Sequence, residues 1–163
     1  MRAIRFHETD VRAMGRDASG VQGMRLRGED EVIALNIAHD DADVLVVTEN
    51  GYGKRTRVSE YPVKGRGGMG VKTVQLTETK GHLAGARVVR DGYQVMLISD
   101  GGTVIRMSAD DIKRSGRSTQ GVIVMRLREG ENVSSLAPVV ESGDDDAVAD
   151  GSGPGVPALE PEA

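Results

Sequence analysis

The residues of this chain best suited to chemistry are cations set among glycines. Lys64-Gly-Arg-Gly-Gly-Met-Gly70 holds four glycines in seven residues, with Lys64 and Arg66 between them. Glycine admits positive φ and lets another backbone come close. Val71-Lys-Thr-Val-Gln-Leu76 follows, alternating and rich in β-branched residues, and reads as a strand. A basic glycine loop feeding a strand is a good surface for a phosphate backbone. The loop also matches G-x-G-x-x-G, but a dinucleotide site needs a strand before that motif and a helix after it. Pro62 stands just before it and Val71-Lys-Thr-Val is a poor helix start, so the dinucleotide reading fails. No G-x-x-x-x-G-K-[ST] run supports a triphosphate loop.

The remaining polar residues offer no catalytic constellation. His7, His39 and His82 fall on different units, without partners at ligand spacing, and read as solvated side chains. Asp40-Asp-Ala-Asp43 lacks the Gly-x5-Glu remainder of a calcium loop and reads as a polar connector. No nucleophile stands beside a base. The absence of cysteine rules out disulfides and Cys-type zinc sites. No catalytic residue, metal site or cofactor is expected.

The glycine loop is one member of a repeat. Gly20-Val21, Gly70-Val71 and Gly121-Val122 align at steps of 50 and 51 residues. Leu26, Leu76 and Leu127 then coincide, as do the pairs Gly15-Arg16, Gly65-Arg66 and Gly116-Arg117. Arg5, Arg55 and Arg106 align upstream, as do Asp10, Glu60 and Asp111, next to the apolar Val11, Tyr61 and Ile112. The recurring acids suit pairing with a neighbouring arginine or capping a turn. A period near 50 residues built of short strands is the pattern of a propeller-like array of blades. The units run over residues 1–41, 42–91 and 92–140, with residues 141–163 outside them.

Units two and three open with Val44-Leu-Val-Val-Thr48 and Val95-Met-Leu-Ile-Ser99. Asn50-Gly51 and Asp100-Gly101 follow, the dipeptides that favour tight primed hairpins. Met1 aligns with Gly51 and Gly102, so unit one lacks its leading strand and the chain reads as the last part of a longer array. Strands are expected at 3–6, 10–12, 21–26 and 31–38 in unit one. They are expected at 43–48, 53–58, 71–76 and 83–90 in unit two, and at 94–99, 103–107, 122–127 and 132–140 in unit three. Asp110–Arg114 suits one helical turn. No window has a convincing helical period, so helix should be minor. The expected fold is all-β: a partial β-pinwheel of about three four-stranded blades, the first incomplete. Open blade edges predict low stability or self-association.

Composition qualifies the net charge of −4. Residues 141–163 hold seven acids and no Lys or Arg, while the remaining 140 residues carry 21 basic and 18 acidic residues. The body is mildly basic. The tail is acidic, poor in apolar residues and expected to be disordered, able to compete for the basic body. No apolar run approaches the roughly 18 residues that span a bilayer, and Met1-Arg-Ala-Ile-Arg-Phe-His has no signal-peptide core. A cytoplasmic location without a membrane partner is expected.

Arg5, Arg16, Lys54, Arg55, Lys64, Arg66, Lys72, Arg106, Lys113, Arg114 and Arg117 all fall in the first part of their units. Equivalent positions of a blade array share one rim, so these cations would line one belt. Such a belt binds duplex DNA by counterion release without reading bases. The competing role for Arg5, Arg55 and Arg106 is to tie loops down or to form surface ion pairs worth little.

The run from Ala3 to Leu26, and above all V-R-x-M-G-R-x-x-x-G-V-x-G from Val11 to Gly23, resembles a blade of the C-terminal domain of the DNA gyrase A subunit. The topoisomerase IV relative is a less close resemblance. The likeness covers residues 3–140. It implies a β-pinwheel that wraps double-stranded DNA around its rim and so supports negative supercoiling. It implies partners in the remaining blades and in the gyrase B subunit. The cleavage tyrosine and the ATPase would lie outside this chain, which by itself should cut nothing. The family's glycine box is matched at Arg66, Gly67, Gly68 and Gly70 and departs at Lys64, Gly65 and Met69. The alternatives are a protein-interaction propeller fragment and an inactive truncated product.

Overall fold

The computed structural model describes residues 1–139. The acidic segment expected to be disordered, 141–163, lies outside the described residues. Among the described residues, nine strands and four single 3-10 turns make up the regular structure. The strands are β1 (Arg2–Ala3), β2 (Asp43–Thr48), β3 (Tyr52–Arg57), β4 (Val71–Lys72), β5 (Leu83–Val89), β6 (Gln94–Ser99), β7 (Val104–Ser108), β8 (Val122–Ile123) and β9 (Val133–Val139). The fold is all-β, as expected. The turn anticipated at Asp110–Arg114 forms at Ala109–Asp111, and its equivalents stand at Glu8–Asp10 and Val58–Glu60.

The period of the sequence is the period of the structure. β2 and β3 form a hairpin around Gly51, and β6 and β7 form one around Gly102, with φ of +80° and +82° at the two glycines. β5 adds to β2 and β9 to β6, each antiparallel. Both ladders slip register at the same place, between Val47 and Thr48 and between Ile98 and Ser99. The apolar residues that recur in the sequence fill a shared core. Leu45, Val47, Val89, Val95, Leu97, Ile112, Met125 and Leu136 pack together from units two and three. Each such side chain contributes about 1.5–3 kcal/mol by leaving water.

The assignment of strands to sheets differs from the expectation. Four consecutive strands of a unit were expected to form that unit's blade. Instead β4 of unit two pairs with β1 of unit one, and β8 of unit three pairs with β3 of unit two. The sheets are therefore β1-β4, β5-β2-β3-β8 and β7-β6-β9. Each Gly-Val strand leaves its own unit and completes the preceding one.

The glycine before each exchanged strand explains why this is possible. Gly70 and Gly121 have φ of +67° and +81°. A Cβ on Gly70 would sit 2.2 Å from the carbonyl oxygen of Ala3, and one on Gly121 would sit 2.7 Å from that of Gly53. Ala3 and Gly53 are themselves repeat equivalents. The glycine thus serves both a left-handed backbone and contact with the neighbouring blade.

Unit one departs most from the expectation. Residues 10–12, 21–26 and 31–38 form no strand, and 3–6 shortens to β1. Segment 31–38 aligns with β5 and β9, whose ladder partners are β2 and β6. Among the described residues no strand pairs with it. Val32, Ile33 and Ile37 are exposed, and Leu35 is 89% exposed. Segment 21–26 pairs with no strand among the described residues, whereas β4 pairs with β1 and β8 with β3.

Gly70→Ala and Gly121→Ala should each lower the unfolding free energy by more than about 1 kcal/mol, combining strained backbone with a carbonyl clash. Gly20→Ala, at φ +82° but with nothing within 4 Å of the added carbon, bears only the backbone part. Urea unfolding that gives the three variants equal losses would contradict the interlock.

Candidate nucleic-acid interface

The cations singled out in the sequence divide into two groups. Lys54 sits on β3 and is 1% exposed. Its Nζ donates to the carbonyl oxygens of Gly116 (2.8 Å) and Arg117 (2.6 Å) and to Thr119 Oγ1 (3.3 Å). It ties the Gly-Arg loop of unit three onto the sheet of unit two. Arg55, on the same strand, is 5% exposed. Its Nε donates to Ile112 O at 2.9 Å, and its Nη1 faces Asp43 (3.2 Å), Asp91 (3.1 Å) and Asp110 (3.1 Å). Arg114 meets Asp43 and Asp91 at 2.8 Å each from Nη2. The bond from Arg55 holds the Asp91 carboxyl below its usual range, and the bonds to Asp43 raise Arg114 further. Arg5 is mostly buried and donates to Val58 O (3.2 Å), Tyr61 O (3.4 Å) and Asp40.

These placements correct the sequence reading. Lys54 and Arg55 were assigned to a DNA-facing rim, but burial and intramolecular partners withdraw both from any external phosphate. Arg5 and Arg114 are likewise committed to loops and carboxylates. Tying loops down, the competing role weighed for the aligned arginines, is what Arg5 and Arg55 do. The alternation of a strand cannot reveal this, because exchange buries both faces of β3. The carboxylates Asp43, Asp91 and Asp110 gave no spacing signal; only the fold brings them together.

The second group faces outward. Lys64, Arg66, Lys72 and Lys113 are exposed, and so is Arg16, while Arg117 is half-buried. Lys72 donates to Gln75 Oε1. Lys64, Lys113 and Arg16 have no side-chain partner among the described residues. Arg106 is exposed and bonds Gln94. Arg66 and Arg117 make the same contact in successive units. Arg66 Nη1 donates to Gln22 O at 3.2 Å and Arg117 Nη1 donates to Lys72 O at 3.3 Å, and Gln22 and Lys72 are equivalents. Arg66 Nε also donates to Asp10 O at 2.9 Å. Each guanidinium is anchored on the residue that follows Gly-Val in the preceding unit, and part of its donor fork stays uncommitted.

The glycines hold this arrangement in place. Gly67 N–H donates to Gly23 O at 2.6 Å and Arg25 N–H to Gly68 O at 2.8 Å, so the loop of unit two lies against the segment just after Gly20-Val21 in unit one. Gly67 needs its φ of +79°. Gly67, Gly68 and Gly70 therefore lock the loop of unit two onto unit one. A direct phosphate contact is not required to account for them.

The model of the DNA gyrase C-terminal domain, a beta-propeller, matches residues 2–39, 42–90 and 93–139. The chain belongs to that family. The DNA gyrase A subunit of Klebsiella oxytoca is 45% identical over 165 aligned residues, covering 99% of this chain and 19% of the relative. Its counterpart in Mycobacterium tuberculosis is 46% identical over 149 residues, covering 90% of this chain and 18% of the relative. The chain thus spans about a fifth of the length of these curated relatives. A solved DNA gyrase A C-terminal domain superposes with a TM-score of 0.79 at 26% identity, covering 85% of this chain and 47% of that one. The C-terminal domain of DNA topoisomerase IV gives the same score and identity, over 43% of its chain. Among the described residues no helix is long and apolar enough to cross a membrane.

The buried lysine gives a pH signature. Desolvation lowers the Lys54 ammonium to about 8 from 10.5, with Glu60 opposing and Arg117 adding to the effect. Between those values the unfolded chain binds more protons than the folded one, so stability rises with pH. Measured by urea unfolding from pH 8 to about 10, the stability of the wild type relative to Lys54→Met should climb. A flat difference would place Lys54 in solvent.

Proposed function

We propose that this chain binds double-stranded DNA along the exposed Gly-Arg loops of successive units, without reading bases, and bends it around their outer edge. It would do so as the C-terminal part of a gyrase-type A subunit, supporting negative supercoiling in the cytoplasm. The observation that carries this reading is the matched pair of loop guanidinium groups, Arg66 and Arg117, each anchored through one arm to an equivalent carbonyl. Anchoring fixes where the charge stands, so a duplex would meet cations at the spacing of the blades. Lys64, Lys72 and Lys113 add charge beside these loops. Duplex DNA carries one negative charge per roughly 1.7 Å of axis, and each phosphate neutralised releases a counterion. Backbone contacts must also offset the elastic cost of bending.

The interior cations serve this role indirectly. Lys54, Arg55, Arg5 and Arg114 set the angle between units and hence the curvature offered to DNA. The departures at Lys64, Gly65 and Met69 from the family's glycine box weaken a specialised grip on the duplex but leave the electrostatic one. Strand cleavage and ATP hydrolysis belong to other parts of the enzyme. The partners expected there are the remaining blades of the same polypeptide and the gyrase B subunit.

Fluorescence anisotropy with a labelled duplex tests the reading. Affinity should fall steeply between about 50 and 200 mM salt and be indifferent to sequence. Lys64→Gln and Lys113→Gln should each reduce the slope of log K against log salt by about one, at unchanged melting temperature. Removal of residues 141–163 should tighten binding. Affinity that ignores salt would contradict the proposal.

A further inference from the structure

We propose that the seam where β4 crosses onto β1 is a phosphate-gripping site in its own right, built from Arg2, Lys72 and Arg117, and that it holds duplex DNA more firmly than the equivalent seam between β3 and β8. The proposal rests on the DNA reading above. It adds where along the array the duplex is held, and it adds Arg2, a cation that neither the repeat nor the glycine loop singles out.

Three cations converge on the four residues Met69–Lys72. Arg2, exposed on β1, donates from Nε to Met69 O at 2.9 Å and from Nη2 to Gly70 O at 2.7 Å. It sets a guanidinium beside residue 69, where the glycine loop itself has methionine. Lys72, exposed on β4, is the ladder partner of Arg2. Its Nζ donates to Gln75 Oε1. Arg117 reaches the same strand from unit three, with Nη1 on Lys72 O at 3.3 Å. The acceptors in all these bonds are neutral oxygens. The Glu60 carboxylate takes the backbone N–H of Arg117 at 3.3 Å, and the guanidinium points to Lys72 instead.

Directly opposed residues of an antiparallel pair share one face, with Cβ atoms about 4.5–5.5 Å apart, and like charges placed so destabilise the pair. The two-stranded β1–β4 sheet therefore gains nothing for itself from Arg2 opposite Lys72. A phosphate seated between them replaces that repulsion with charge-assisted hydrogen bonds. Arg2 is already held by two carbonyls, which leaves three of the five N–H groups of a guanidinium for such a ligand. Little side-chain freedom remains to be lost on binding.

The next seam shows that strand pairing does not require these charges. There the same ladder positions hold Tyr52 and Ile123. Ile123 is 55% exposed, and the Lys80 ammonium lies 3.6 Å from the centre of the Tyr52 ring, over its face. One backbone arrangement thus presents two opposed cations at β1–β4 and an aromatic and an aliphatic side chain at β3–β8. A duplex passing over both seams meets a phosphate seat at the first, and at the second it has the loop cations alone.

Anisotropy titrations of the full chain with a labelled duplex, repeated over a range of salt and paired with melting of the free chain, test this. Lys72→Gln should lower the slope of log K against log salt by about one and weaken binding by roughly threefold or more. Its melting temperature should hold or rise, because a like-charge pair is removed. Ile123→Gln should change neither slope nor affinity, while Ile123→Lys should add about one to the slope. Arg2→Lys should keep the slope that Arg2→Gln loses. Salt-dependent binding by the wild type that Lys72→Gln and Arg2→Gln leave intact would overturn the seam and spare the DNA reading. So would equal losses from Lys72→Gln and Ile123→Gln. Wild-type affinity that ignores salt would overturn both.

Discussion

Everything in this structure depends on one close approach, that of an alpha carbon without a side chain to the carbonyl oxygen of the preceding unit. Where Gly70 meets Ala3 and Gly121 meets Gly53, any Cβ would lie well inside van der Waals contact. That approach lets a strand leave its own unit and pair with the one before. Short sheets of two to four strands would otherwise be marginal in water. Exchange makes each of them part of its neighbour, so stability is shared along the array rather than held within a blade.

Exchange also decides what the cations do. A strand paired on both edges and covered on both faces carries its polar side chains inward, and β3 carries Lys54 and Arg55 there. Buried charge is tolerated because each has partners: loop carbonyls for Lys54, three carboxylates for Arg55. Breaking such a pair typically costs more than forming it gains, so these residues define geometry more than they add stability. The cations left outside include those of the Gly-Arg loops, where the chain turns away from the sheet, and Lys72 and Arg106 on the short strands β4 and β7. The division between scaffold and surface is therefore set by topology, not by residue type.

Much of this was legible in the sequence, because a repeat carries its own controls. The alignment of Gly20, Gly70 and Gly121, and of Arg16, Arg66 and Arg117, exposed the repeat and its loops, and the resemblance of the run from Val11 to Gly23 pointed to the family. Hairpins were legible from Asn50-Gly51 and Asp100-Gly101. Which sheet a strand joins was not, because an alternating pattern names a buried face without naming the neighbour that buries it. For the same reason Lys54 and Arg55 read as rim residues. Segment 31–38 alternates as well as β5 does, yet forms no strand, since pairing needs a ladder that pattern alone does not supply.

The central claim is that loop cations face a duplex while β3 cations hold the blades together. Lysine acetylation followed by mass spectrometry, with and without duplex DNA, tests both halves at once. The account predicts that Lys64 and Lys113 react readily in the free chain and are protected by DNA, with Lys54 unreactive in either state. Equal labelling of Lys64 and Lys113 with and without DNA, or ready modification of Lys54 in the folded chain, would contradict it.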